Sequence, residues 1–179
     1  MKTNTKWVID PLHSNVQFKI KHLVISTITG SFESFQGSLT TDSNDFSGAD
    51  IEFSISVNSI HTNQENRDHH LKSEDFFDSE KCPAIIFRSS SFINNGNDEY
   101  ALVGDLTIRD VTRKVTLSVE YGGTDIDLHG NTKAGFEITG KIDRKEFGLV
   151  LDGVTEAGTI VLGAEVRIDI NLQFTKQNT

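Results

Sequence analysis

The stretch Val166-Arg167-Ile168-Asp169-Ile170-Asn171-Leu172-Gln173-Phe174 alternates apolar and polar residues without a break. A period of two puts the apolar side chains on one face of a strand and the polar ones on the other. One apolar and one wet face marks an antiparallel sheet, because parallel strands are buried on both sides. The pattern recurs upstream. Val16, Phe18, Ile20 and His22 alternate with Gln17, Lys19 and Lys21, and Ile51, Phe53, Ile55 and Val57 with Glu52, Ser54 and Ser56. Tyr100, Leu102, Gly104, Leu106 and Ile108 form another face. Val115, Leu117, Val119 and Tyr121 form the next, followed by Phe136, Ile138, Gly140 and Ile142. Shorter candidates lie at 7–10, 31–40, 84–93 and 161–164. Composition agrees: Val, Ile and Thr total 46 of 179 residues and Ala only 6. Such a chain favours pleated surfaces over helices.

Turn residues separate the runs. Asn94-Asn95-Gly96-Asn97-Asp98 reads as a hairpin loop, and Gly122-Gly123, Asp152-Gly153 and residues 42–48 read as turns. The exception is 62–78. Thr62-Asn63-Gln64-Glu65 reads as a capping box opening a short helical segment near 63–78, and Ser73 before Glu74 and Asp75 as a second start. Pro83 ends it. No repeat or linker divides the chain, so one domain is expected over 1–179, with its core at about 6–175.

About eight strands with one apolar face must hide that face and their edges. An antiparallel, all-β barrel does both. Its interior is either filled by side chains or holds one small ligand. Gly104 and Gly140 sit among apolar inward residues. They leave room for a ligand, or they permit a bend or a close strand approach.

Charge and motifs narrow the function. The net charge is −9, so the chain as a whole is a poor counterion for phosphate backbones or anionic lipid headgroups, and nucleic acid is set aside. Cys82 is alone and forms no intrachain disulfide. No run approaches the length of a membrane span, and the start of the chain does not read as a signal peptide. The expected location, as written, is the cytoplasm. Gly135 to Lys141 imitates a phosphate loop, but Ile142 replaces the hydroxyl that meets magnesium, and the match lies in a strand. Asp125, Asp127 and Gly130 imitate a calcium loop, but Phe136 stands where a Glu is required. His13, His22, His61, His69, His70 and His129 include no pair at helical ligand spacing, so no metal is expected. His22 is unusual in continuing an apolar row. The polar run from Arg67 to Asp78 places Arg67, His70 and Leu71 on one face of a short helix. It reads either as a solvated helix with an apolar plug or as a lid over a barrel mouth.

The order of motifs resembles the YceI-like family, also called polyisoprenoid-binding, lipocalin-like proteins. The resemblance is carried by Trp7-Val8-Ile9-Asp10-Pro11-Leu12-His13-Ser14-Asn15-Val16-Gln17-Phe18, Lys21-His22-Leu23, Gly30-Ser31-Phe32 and Ser59-Ile60-His61-Thr62. It continues through Arg67-Asp68-His69-His70-Leu71-Lys72-Ser73, Asp75-Phe76-Phe77-Asp78, Pro83-Ala84-Ile85-Ile86-Phe87, Gly104-Asp105-Leu106-Thr107-Ile108 and Arg144-Lys145-Glu146-Phe147-Gly148-Leu149. The resemblance implies a lipocalin-like barrel with a long apolar pore that binds a polyisoprenoid, quinone or fatty amide without catalysis. It implies no cofactor. Many members are exported to the periplasm and many are dimeric, so a homodimer is one option here.

The expected tail contacts are Phe18, Ile20, Phe53, Ile55, Phe87, Leu102, Leu106, Leu117, Phe136 and Ile138. The expected head-group or lid residues are His22, Arg67, His70, Phe76, Phe77 and Arg144. Two rival readings stand beside this one. An enzyme acting on a small substrate inside the barrel uses a histidine such as His22 or His13 as acid or base, and calls for a carboxylate-oriented histidine in the cavity. A structural protein calls for a filled barrel.

Overall fold

Three interruptions, at Pro11, Glu33 and Val57, organise the sheet. The computed structural model describes residues 3–42, 45–151 and 161–178. Its strands are β1 (Thr5–Ile9), β2 (Asn15–His22), β3 (Ser26–Phe32), β4 (Phe35–Thr41), β5 (Asp50–Ser56) and β6 (Ile60–His61). After helix α1 (Glu65–Lys72) come β7 (Ala84–Gly96), β8 (Glu99–Ile108), β9 (Val111–Ile126), β10 (Thr132–Asp143) and β11 (Leu162–Lys176). β1 and β2 both pair with β11, through Ile9↔Phe174 and Asn15↔Asn171, so together they make one long strand broken by a 3-10 turn at Pro11–His13. β3 with β4, and β5 with β6, make two more broken strands. The breaks adjoin: Glu33 N–H donates to the Ser59 carbonyl and Ser56 N–H to the Ser34 carbonyl. Counting each broken pair once, the order is an up-and-down meander of eight antiparallel strands, closed by β1 and β2 against β11. Closure leaves no full-length edge.

The first break is the best anchored. The Asp10 carboxylate accepts from Leu12 N–H (3.1 Å), His13 Nδ1 (2.8 Å) and Lys133 Nζ (3.0 Å). Burial pushes the Asp10 carboxyl up, but these bonds outweigh it and hold the group below its ordinary value. Ser14 Oγ ties the turn to β11 by accepting from Gln173 N–H (2.9 Å).

The alternation sets the faces as expected. Val16 and Ile20 are buried and Phe18 is half-buried, whereas Gln17, Lys19 and Lys21 are exposed. The 94–98 loop is a tight hairpin with Asn97 and Asp98 both at positive φ (54° and 62°). Such a turn follows the natural twist of the two strands.

Four expectations need correction. Gly122-Gly123 is a bulge inside β9 and not a turn: Gly135 faces Gly123 while Phe136 faces Tyr121. The N-cap of α1 is Gln64, whose side chain accepts from Arg67 N–H, and Ser73 is its C-cap. Thr62 bonds Asp68 instead, because the chain turns in from β6 before the helix begins. The 31–40 run is two strands. Asp152-Gly153 lies outside the described residues.

The fourth correction concerns the inward glycines. A Cβ on Gly104 would stand 2.5 Å from the Arg88 carbonyl oxygen and 2.5 Å from the Phe87 ring. Leu117 likewise covers Gly140, and the Phe18 ring covers Gly30. These glycines admit large side chains from the neighbouring strand and give no ligand space. Gly104→Ala is therefore expected to destabilise the fold by about 1–3 kcal/mol, and Gly104→Leu by more. Urea unfolding checks this; midpoints unchanged from the parent would show the packing argument to be wrong.

Candidate functional site

Inward residues of all eight strands enclose a cavity of about 530 Å³. That is the size of an ordinary small-molecule pocket. Its wall is nearly all aliphatic and aromatic. The interior is therefore hollow, which counts against a filled structural barrel.

One end is closed by aromatic rings. Phe46 enters from the loop between β4 and β5 and is 4% exposed. Its ring lies 5.3 Å from Trp7, 5.5 Å from Tyr121 and 5.3 Å from Phe136. Phe136 in turn meets Phe174 edge-on at 5.7 Å. The Tyr100 hydroxyl donates to the Asp45 carbonyl and ties the loop down. Burial, then the nearby Asp45 carboxylate, pushes the Tyr100 phenol up, so it stays a donor.

The other end is polar. His22, Thr62, Arg67, His70 and Arg144 border the cavity where β2, β6 and β10 finish. Gln17, an exposed residue of β2, also borders it. Phe76 and Phe77, beyond α1, line this end too, and Phe77 packs on Phe32 at 6.2 Å. The segment from α1 to β7 thus covers part of the mouth with an apolar underside.

Arg67 is held in place from below. Its Nε donates to Thr62 Oγ1 (2.8 Å) and its Nη2 to the Thr62 carbonyl (2.6 Å). The Thr62 hydroxyl passes the tie to Asp68, whose Oδ1 also accepts from Thr62 N–H (2.9 Å). Asp68 and Thr62 are buried, so this small network fixes the guanidinium at the mouth. Among the described residues Nη1 has no hydrogen-bond partner, so Arg67 brings an unused charged donor to the border of the cavity.

His70 Nε2 meets Asp75 Oδ2 at 2.9 Å, with both side chains about half exposed. This is a carboxylate-paired histidine, the mark of an enzyme reading, but it sits at the solvent-exposed rim. Among the described residues no carboxylate bonds the His22 ring, and no group of three or more His, Cys, Asp or Glu is arranged to hold a metal.

All ten expected tail contacts lie on the cavity wall, and the six expected head-group or lid residues border its mouth half. Arg144 differs from the others in what it does there. It is 3% exposed, and its guanidinium donates to the carbonyls of Gly163 (2.7 Å), Leu162 (3.0 Å), Leu149 and Leu151 (3.2 Å). It pins the chain after β10 to the start of β11. Phe46 is absent from the sequence expectations because its stretch reads only as a turn. Leu149 and Leu151, also on the wall, follow a 3-10 turn and carry no periodic signal.

The family model described as "YceI-like domain" matches residues 7–174. The UPF0312 protein SA2479 of Staphylococcus aureus (strain N315) is 36% identical over 172 residues, covering 96% of this chain and 98% of its own. Among solved structures, BcnA of Burkholderia cenocepacia superposes with a TM-score of 0.80 at 21% identity, covering 92% of this chain and 98% of its own. A polyisoprenoid binding domain from Saccharophagus degradans, implicated in plant cell wall breakdown, superposes with a TM-score of 0.70 at 15% identity, covering 96% and 98%.

Proposed function

The chain belongs to the YceI-like family, and from that premise we propose that its barrel binds a long-chain lipophilic amphiphile without covalent chemistry. The observation that carries this reading is the cavity: apolar along its wall, closed by aromatic rings at one end, polar at the other. The shape suits a tail with one polar head. The structural likeness to a polyisoprenoid binding domain supports the same class of ligand. A polyisoprenoid, a quinone or a fatty amide fits it, for storage or transport.

In this reading the tail takes its free energy from burial. Each methylene removed from water contributes about 0.8 kcal/mol, so few polar contacts are needed. The head meets Arg67, with His22 and His70 beside it. Arg67 selects for an acceptor, since its free Nη1 would otherwise be buried beneath the ligand without a partner.

Extraction of the purified protein with organic solvent, followed by mass spectrometry, tests the class directly. A stoichiometric lipid is the expected result. Protein that is clean after growth in a lipid-rich host, and takes up no added amphiphile, would refute it. The head-group assignment has its own test. Arg67→Ala should weaken a carboxylate-headed or amide-headed amphiphile by about 10- to 100-fold, the worth of a charge-assisted hydrogen bond. The matching headless hydrocarbon should lose little. Arg67→Lys keeps the charge but not the fork that grips Thr62, so it should fall between. Equal losses for headed and headless ligands would remove Arg67 from the site. The enzyme reading makes a different demand: turnover of a small substrate that disappears in His70→Ala.

A further inference from the structure

The β2–β3 hairpin differs in charge from the rest of the molecule. From Asn15 to Phe32 it carries Lys19 and Lys21 and no Asp or Glu, in a chain with 26 acidic residues. Its tip is Leu23-Val24-Ile25, with Leu23 and Val24 at positive φ (53° and 66°). Turns of that shape ordinarily take Asn or Gly, because a β-branched side chain is strained there. Here the positions expose Val24 (72%) and Ile25 (85%) to solvent.

A second apolar pair joins them. Val150 is 61% and Leu151 43% exposed. Both groups flank the start of β11: Leu23 N–H donates to the Val161 carbonyl, and Arg144 links the Leu151 and Leu162 carbonyls. Both also adjoin the polar end of the cavity, because His22 and Leu151 line it. The hairpin stands clear of its neighbour, since β6 pairs only with Ser31 and Phe32 of β3. Lys19 and Lys21 lie exposed on the outer face below the tip. Loops and strand ends at the closed end carry Asp45, Asp98, Glu99, Asp125 and Asp127.

We propose that the mouth of the barrel docks onto an anionic lipid bilayer, with Val24, Ile25, Val150 and Leu151 in the interface and Lys19 and Lys21 against the headgroups. Apolar side chains at a tip enter the headgroup boundary, and lysines a few residues back reach the phosphates. The acidic closed end orients the molecule away from the surface. The proposal extends the ligand-binding reading: a long apolar chain crosses water slowly, and a docked mouth lets it pass directly between bilayer and barrel.

The test is flotation of the full chain with vesicles of phosphatidylcholine and phosphatidylglycerol in equal parts, and with phosphatidylcholine alone. The parent should bind the mixed vesicles, less at high salt. Ile25→Asp with Leu151→Asp should reduce that binding about tenfold or more. Lys19→Glu with Lys21→Glu should abolish the preference for the mixed vesicles. Leu128→Asp, fully exposed at the closed end beside Asp127, should change nothing. The thermal midpoint of each variant verifies folding. Uptake of a soluble fluorescent fatty amide should persist in the tip variant, separating failure of docking from failure of ligand binding. No binding by the parent, or equal loss in Leu128→Asp, overturns the proposal. So does a parent dimer that the tip variant dissociates while vesicle binding persists, which would make this face a contact between copies.

Discussion

Phe46→Ala is expected to cost about 3–5 kcal/mol of stability, the range for emptying a buried aromatic site. Phe46 is the floor of the barrel. Its ring is wedged among Trp7, Tyr121 and Phe136. Backbone geometry adds a second, less ordinary expectation. Phe46 has φ of 63°, where any Cβ is strained and glycine is not. Alanine loses the ring and keeps the strain, whereas Phe46→Gly loses the ring and releases it. Glycine should therefore be the milder substitution by about 1 kcal/mol, reversing its usual order with alanine. Denaturant titration of the two variants measures both effects. A loss under about 1 kcal/mol in Phe46→Ala would mean that the floor is held by something other than this ring.

The largest functional effect should come from the length of the ligand. If the tail lies along the apolar wall, each added methylene contributes about 0.8 kcal/mol, or roughly fourfold in affinity. The gain must stop where the chain meets Phe136 and Phe174, with Phe46 packed behind Phe136. A homologous series of fatty amides, titrated by competition against one fluorescent probe, should show a steep rise and then a plateau. In Phe46→Ala the plateau should move to longer chains, because the Phe136 ring loses the support behind it and can yield. Affinity that does not vary with chain length would place the ligand outside the cavity. A plateau unmoved by Phe46→Ala would put the stop elsewhere. The two experiments share one residue yet read different quantities, so either can fail alone.

Strand identity was legible because burial on one face imposes a period of two. Val16 to His22 and Val166 to Phe174 show it unaided. A closed barrel followed from counting faces that had to be hidden. The broken strands were less legible. Residues 31–40 read as continuous, because a two-residue kink at Glu33-Ser34 hardly disturbs the alternation. At 122–123 two glycines gave the same signal for a bulge as for a turn, since both ask for backbone freedom and differ only in what lies opposite.

The site divides in the same way. That Phe18, Phe87, Leu117 and Ile138 point inward follows from their order along the chain, because pleating alone sends alternate side chains to one face. Whether those side chains meet across the middle does not. That depends on strand number, tilt and the register of eight strands at once, all set by pairings distant in sequence. Only the tertiary structure decided that the barrel is hollow, and that Gly104 and Gly140 are covered by Phe87 and Leu117 instead of standing open. It also decided the partners of two arginines that look alike in sequence. Arg67, tied to Thr62, keeps an unused donor beside the cavity, while Arg144 donates to the carbonyls of Leu149 and Leu151 after β10 and of Leu162 and Gly163 at the start of β11. Phe46 is the extreme case: no local pattern marks it, because a loop residue becomes a floor only where the two ends of closed strands leave a hole of its size.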